Sequence, residues 1–116
     1  MRIAVSAFGP NLTSRLSPRF AGCSHFLVFD PETRELEVYD NDHTGQAGDS
    51  SAWAARLLAS KKVNAVITGR CRPSTFKIFS DAGIYVFLRQ SGTVKEVLEK
   101  YTRGRLRRES LELAFS

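Results

Sequence analysis

The sequence predicts an α/β domain with a mixed five-stranded sheet and the element order β-β-β-α-β-α-β-α. Three observations carry this. Short apolar runs of strand length recur through the chain. The first three are joined without any helical pattern, so they form an antiparallel meander. The last two each follow an amphipathic stretch of helix length, so they arrive by crossovers and run parallel to the first.

The elements follow in order. Met1 to Ser6 is a short apolar run and reads as a buried strand. Ala7 to Pro18 carries Gly9, Pro10, Asn11, Ser14, Ser17 and Pro18 and reads as a loop. Cys23 to Asp30 is apolar on both sides of its alternation. Cys23, His25, Leu27 and Phe29 share one face, and Phe26 and Val28 the other. DPETRE turns the chain into ELEVY, where Leu36 and Val38 alternate with Glu35, Glu37 and Tyr39. Asn41 to Asp49 is a polar loop with Gly45 and Gly48. Asp49 or Ser50 caps a helix over Ser51–Ser60, whose apolar stripe is Trp53, Ala54, Leu57 and Leu58, with Lys61 and Lys62 at its negative end. Val63 to Thr68 is a β-branched run that suits a parallel strand. Pro73 opens a second helix with Phe76 and Phe79 inward and Gly83 as its stop. Ile84 to Leu88 is the last strand. Thr93 and Glu96 form a capping box for a third helix with Val94, Val97, Leu98 and Tyr101 inward.

Whole-chain properties set the class. At 116 residues, 42% hydrophobic and 25% charged, the chain suits one soluble domain with a core of its own. No apolar run approaches the roughly 20 residues of a membrane span. MRIAVSAF is too short and too β-like for a signal peptide, so a cytoplasmic address is expected. In that compartment Cys23 and Cys71 are expected as free thiols or metal ligands rather than a disulfide. The formal charge is +5, of which the stretch from Arg103 to Ser116 supplies +2. The division expected is a domain over residues 1–103 and a basic tail over 104–116. This charge is lower than that of most dedicated nucleic-acid modules and equally suits a small anion.

The predicted topology gathers chemistry on one edge, at the carboxyl ends of the parallel strands. That edge collects Cys23, His25, His43 and Cys71, together with Arg15, Arg19, Arg70, Arg72 and Arg89. Thiolate and imidazole suit zinc, copper or iron–sulfur species. The arginines would hold an anion by charge and forked hydrogen bonds. Glycines 9, 45, 48, 69 and 92 would let backbone amides approach it. Taken singly, each has a plainer reading: Cys23 as core, His25 as a packed ring, His43 as a solvated loop residue. Cys71, between Arg70 and Arg72 at a helix start, is expected to have a lowered thiol pKa. No C-x-x-C supports a closed zinc site, and the phosphate-loop, dinucleotide and zincin motifs are absent. The strand order resembles ribonuclease H, but RIAVSA carries no carboxylate and Asp30 falls at the far end of its strand, so a two-metal nuclease is not the expected reading.

An ordered set of motifs resembles the dinitrogenase iron–molybdenum cofactor-binding and biosynthesis family over roughly residues 1–106. They are MRIAVSA, SPRF-x-x-C-x-x-F-L-V-F-D, N-D-x-x-x-G-x-x-G, AARLLASKKVNAVITGRCRP, F-x-x-x-x-x-A-G-I-x-V and GTVKEVLEKYTRGRL. The resemblance implies a ribonuclease H-like three-layer fold without the nuclease site. It also implies a small non-enzymatic carrier of metal–sulfur cofactors or their precursors, some relatives holding a mixed molybdenum–copper sulfide. Cluster-donor and acceptor proteins are the implied partners. The chain departs from the family at Ala21, at the reduced glycine loop (Gly45, Gly48, then Asp49-Ser50-Ser51), and at Arg72, where glycine is usual. These changes narrow the room for backbone approach and add a positive charge.

The expected function is therefore non-enzymatic binding of an anionic iron–sulfur or molybdenum-containing cluster. Cys23, Cys71, His25 and His43 are the candidate metal ligands. Arg19, Gly45, Gly48, Gly69, Arg70, Arg72 and Gly92 are the candidate cofactor-binding residues. The alternative is a protein- or nucleic-acid-interaction module of the same fold with a degenerate site and a basic tail.

Overall fold

A run such as IAVSA, apolar on both sides of its alternation, is satisfied only inside a sheet covered on both faces. In the computed structural model, which describes residues 1–41 and 50–104, this run is the central strand and all five of its residues are buried. The elements in order are β1 (Ile3–Ala7), β2 (His25–Phe29), β3 (Leu36–Asp40), α1 (Ser50–Ser60), β4 (Ala65–Ile67), α2 (Pro73–Asp81), β5 (Tyr85–Phe87) and α3 (Val94–Thr102). The sheet order is β3-β2-β1-β4-β5. β1 pairs antiparallel with β2 and parallel with β4, β2 antiparallel with β3, and β4 parallel with β5. The predicted class, element order and meander-then-crossover topology are those observed.

Two apolar layers flank the sheet. On one face Ala4, Phe26, Val28, Val66 and Val86 pack with Ala54, Ala55 and Leu58 of α1 and Phe76 and Phe79 of α2. On the other face Ile3, Val5, Leu27, Ile67 and Phe87 pack with Val94, Val97 and Leu98 of α3. The alternation of each strand divides its residues between these layers. β4 and β5 are shorter than the apolar runs containing them, because Val63, Ile84 and Leu88 are buried just outside the ladders.

The inward stripe of α1 differs from the expected one. Ala54, Ala55 and Leu58 are buried, while Trp53 is 38% exposed. The stripe is therefore rotated toward the small residues, which let α1 lie close against the sheet and α2. The expected helix signals of α2 and α3 are all present. Pro73 opens α2, and Gly83 at φ +75° follows its C-cap. At α3 the Thr93 hydroxyl accepts from Glu96 N at 3.2 Å, and the Glu96 carboxylate accepts from Thr93 N at 3.0 Å. The Thr93 donors hold the Glu96 carboxyl below its ordinary pKa. Among the described residues, no helix is long and apolar enough to cross a membrane.

Candidate functional site

The register brings the end of β1 (Ala7), the start of β2 (His25) and the end of β3 (Asp40) to one edge of the sheet. β4 and β5 run parallel to β1 and end there too. Asp30 lies beyond the opposite end of β2, away from any metal-binding position on this edge.

After β1 the chain crosses this edge as an irregular strap over residues 8–24. The strap is tied down at successive points. Ser17 N donates to Ser6 O and Leu16 N to Gly92 O, both at 2.8 Å. Arg70 N donates to Pro18 O at 2.8 Å, and Phe20 N to Arg70 O at 3.0 Å. Beneath it, the buried Ser6 hydroxyl donates to Ser17 O at 2.9 Å and lies 2.7 Å from the Thr68 hydroxyl. Ser6 has one proton and gives it to Ser17, so Thr68 donates to Ser6. This satisfies two buried hydroxyls at the ends of apolar strands.

Gly69 is where the strap comes closest to the sheet. A Cβ there would lie 2.4 Å from Pro18 O and 2.7 Å from Pro18 Cα. The missing side chain thus admits the backbone of Pro18. Gly92 serves a different need: its φ of +106° turns the chain into the α3 cap while its carbonyl holds Leu16. The strap also fills the start of α3, since Val94 N donates to Ser14 O and Lys95 N to Leu12 O, both at 2.9 Å. The N-terminus of α2 has no such cover from its own cap: Arg72, its N-cap residue, makes no side-chain capping bond.

The cysteines sit differently from expectation. Cys23 was expected on the His25 face of β2. It is instead fully buried in the opposite layer, with Phe20 and Phe26. The alternation does not extend to it, because β2 begins at His25 and Cys23 belongs to the turn before. Asn41 shapes that turn: its Nδ2 donates to Cys23 O at 2.9 Å and its backbone N–H to Ser24 O at 2.9 Å. Burial pushes the Cys23 thiol up to about 12, against the opposing pull of hydrogen bonds from Ala7 and Asn41.

Cys71 is partly buried and packs against the same apolar layer. Its expected lowered pKa is overturned, for burial pushes it up to about 11. Arg70 and Arg72 are exposed, so their charges act through water while the thiol meets the core. The two thiols thus reach one layer from two segments that the Arg19–Arg70 bridge joins.

His25 is half-buried, with Nε2 3.0 Å from Asp40 Oδ1 and Nδ1 2.8 Å from Ser24 Oγ. Both ring nitrogens are therefore engaged. Arg19, Arg70 and Arg72 are exposed and make no ion pair among the described residues. His43, Gly45 and Gly48 lie outside the described residues. Among the described residues no three of His, Cys, Asp and Glu come together as a metal-binding group. Sequence reasoning missed Ser6, Thr68 and Asn41. The available signal was a small hydroxyl residue near the carboxyl end of each of two apolar runs, IAVSA and AVITG.

Comparison with known proteins agrees with this architecture. The family described as dinitrogenase iron–molybdenum cofactor matches residues 1–104. The apo form of the orange protein from Desulfovibrio gigas superimposes with a TM-score of 0.89 at 30% identity, covering 94% of this chain and 92% of that one. A Thermotoga protein assigned as NifB gives a TM-score of 0.81 at 30% identity, covering 92% and 91%. An uncharacterized protein of Methanocaldococcus jannaschii is 28% identical over 109 residues, 91% of this chain and 89% of that one. With its motifs in order and its sheet in the matching arrangement, this chain belongs to the dinitrogenase iron–molybdenum cofactor family.

Proposed function

We propose that this protein binds and carries a preassembled anionic metal–sulfur cluster, received from one protein and passed to another, at the strapped edge of its sheet. The observation that carries the reading is the pairing of two thiols on one core layer with three exposed arginines that have no ion pair among the described residues. A bare metal ion needs about four protein ligands, and the described residues offer no group of even three. A cluster brings its own sulfides, so one or two thiolates and a positive rim suffice. Cys71 and Cys23 are the proposed thiolates. Arg19, Arg70 and Arg72 are the proposed clamps, through forked hydrogen bonds to sulfide or oxo edges. His25, held by Asp40 and Ser24, fixes the start of β2 beside Cys23 in this reading. Iron–sulfur and molybdenum-containing sulfides both meet these requirements.

Proton competition supplies a test. Both thiols carry protons at neutral pH because their pKa values lie at about 12 and about 11. Ligation must displace those protons. Anaerobic titration with tetrathiomolybdate and cuprous ion should give a coloured complex whose affinity rises about tenfold per pH unit for each thiolate engaged, between pH 7 and 9. The Arg70→Glu, Arg72→Glu double variant should bind at least about tenfold more weakly. Colour that forms with the same affinity at both pH values, or in the charge-reversed variant, contradicts the assignment.

A further inference from the structure

The two outer strands of the sheet differ. β5 has three residues, whereas β3 has five, Leu36–Asp40, in unbroken register with β2. Among the described residues no strand lies on the other side of β3. Proteins commonly guard such an edge with a lysine, a proline or a bulge. LEVYD has neither lysine nor proline, and its pairing has no bulge. Its two carboxylates are engaged within the chain, Glu37 with Arg2 at 2.7 Å and Asp40 with His25 at 3.0 Å.

The ladder fixes which backbone groups face outward. Asn41 N donates to Ser24 O at 2.9 Å, and Asp30 N to Glu35 O at 3.0 Å. Hydrogen-bonded pairs alternate along an antiparallel ladder, so Glu37 and Tyr39 also bond to β2. The N–H and C=O groups of Leu36, Val38 and Asp40 therefore point away from the sheet. Among the described residues they have no hydrogen-bond partner. Val38, at the centre of this row, is 41% exposed.

The row is its own complement. A twofold axis at Val38 sets Val38 against Val38 of a second copy, and Leu36 against Asp40. All three outward positions of both strands then bond, about six hydrogen bonds in all. Toward the α1 face, Glu37 meets Tyr39 of the second copy, and Tyr39 already donates to the Glu37 of its own chain. No carboxylate stands opposite another. The two Glu37 side chains lie on a diagonal, each beside its own Arg2, with Lys61 over the Tyr39 ring at 5.3 Å. Arg34 and Glu35, just before the strand, carry opposite charges.

We propose that β3 pairs antiparallel with β3 of a second copy about Val38, joining the two sheets into one. The proposal is independent of the cluster reading, because antiparallel pairing turns the two strapped edges in opposite directions. A contact of this size belongs to the weak class, so association is read by sedimentation equilibrium of the full chain at about 20–500 µM. A monomer–dimer equilibrium is expected. Val38→Lys places two ammonium groups on the axis and should weaken it at least about tenfold. Its melting curve should stay native, since the side chain is exposed and the ladder to β2 is unchanged. In a second arm, mild oxidation of Val38→Cys should link two copies through residue 38, where paired Cα atoms lie about 5.5 Å apart. Asp40→Cys is the control, because its two copies lie about 14 Å apart and should not link through residue 40. A monomer throughout the range leaves this edge to another protein and overturns the proposal. So does a dimer that Val38→Lys leaves intact, or equal linking through residues 38 and 40.

Discussion

Gly69→Ala is expected to lower the thermal midpoint by about 15–20 °C, equivalent to about 3 kcal/mol. The added Cβ would meet Pro18 O at 2.4 Å, Pro18 Cα at 2.7 Å and Pro18 C at 2.9 Å. All three atoms are backbone or fixed to it, so no side-chain rotation relieves the contact. The strap must lift. With it would go the Arg70 N bond to Pro18 O and the Phe20 N bond to Arg70 O. Phe20 is wholly buried, with ring centroids 5.0 Å from Phe26 and 5.3 Å from Phe79, so lifting it opens the core as well. Gly22→Ala in the same strap is the control, because a Cβ there meets nothing closer than 3.8 Å. Differential scanning calorimetry of the two variants decides the matter. A Gly69→Ala midpoint within about 3 °C of wild type would show that the strap is not seated as described.

Cys71→Ser is expected to reduce cluster affinity by about a hundredfold or more while changing the fold little. Its side chain is only partly buried, so a hydroxyl there still reaches water. Cys23→Ser carries two effects. It removes the second proposed thiolate, and it replaces a sulfur packed at a fully buried position by a smaller, more polar group, at about 1–3 kcal/mol. Circular dichroism separates the two effects: Cys71→Ser should lose colour with a native melting curve, and Cys23→Ser should lose colour and melt earlier. Full colour in both variants would remove the thiols from the site.

The fold was legible because its signals are local and agree with one another. The β-branched run before GRCRP, the T-x-x-E cap and the Pro73 start each specify an element without reference to the rest. The site was legible only as an edge. Topology places Cys23, His25 and Cys71 there, but their environments depend on where strands begin. Cys23 precedes β2 by two residues, which sends it to the other layer. The Cys71 pKa was misjudged because flanking arginines look close in sequence, yet their charges sit in solvent while the thiol packs inward. Gly69 also has a packing role beyond the expected approach of its amide to a ligand. Its space is taken by Pro18 of the same chain, a contact between residues 51 positions apart that no local pattern encodes.

The most direct test of the carrier reading is elemental and sulfide analysis of the protein purified from cells without oxygen. The reading predicts inorganic sulfide together with molybdenum, iron or copper, in fixed ratio to the chain and lost in Cys71→Ser. One zinc per chain without sulfide, or protein free of both metal and sulfide, would contradict it.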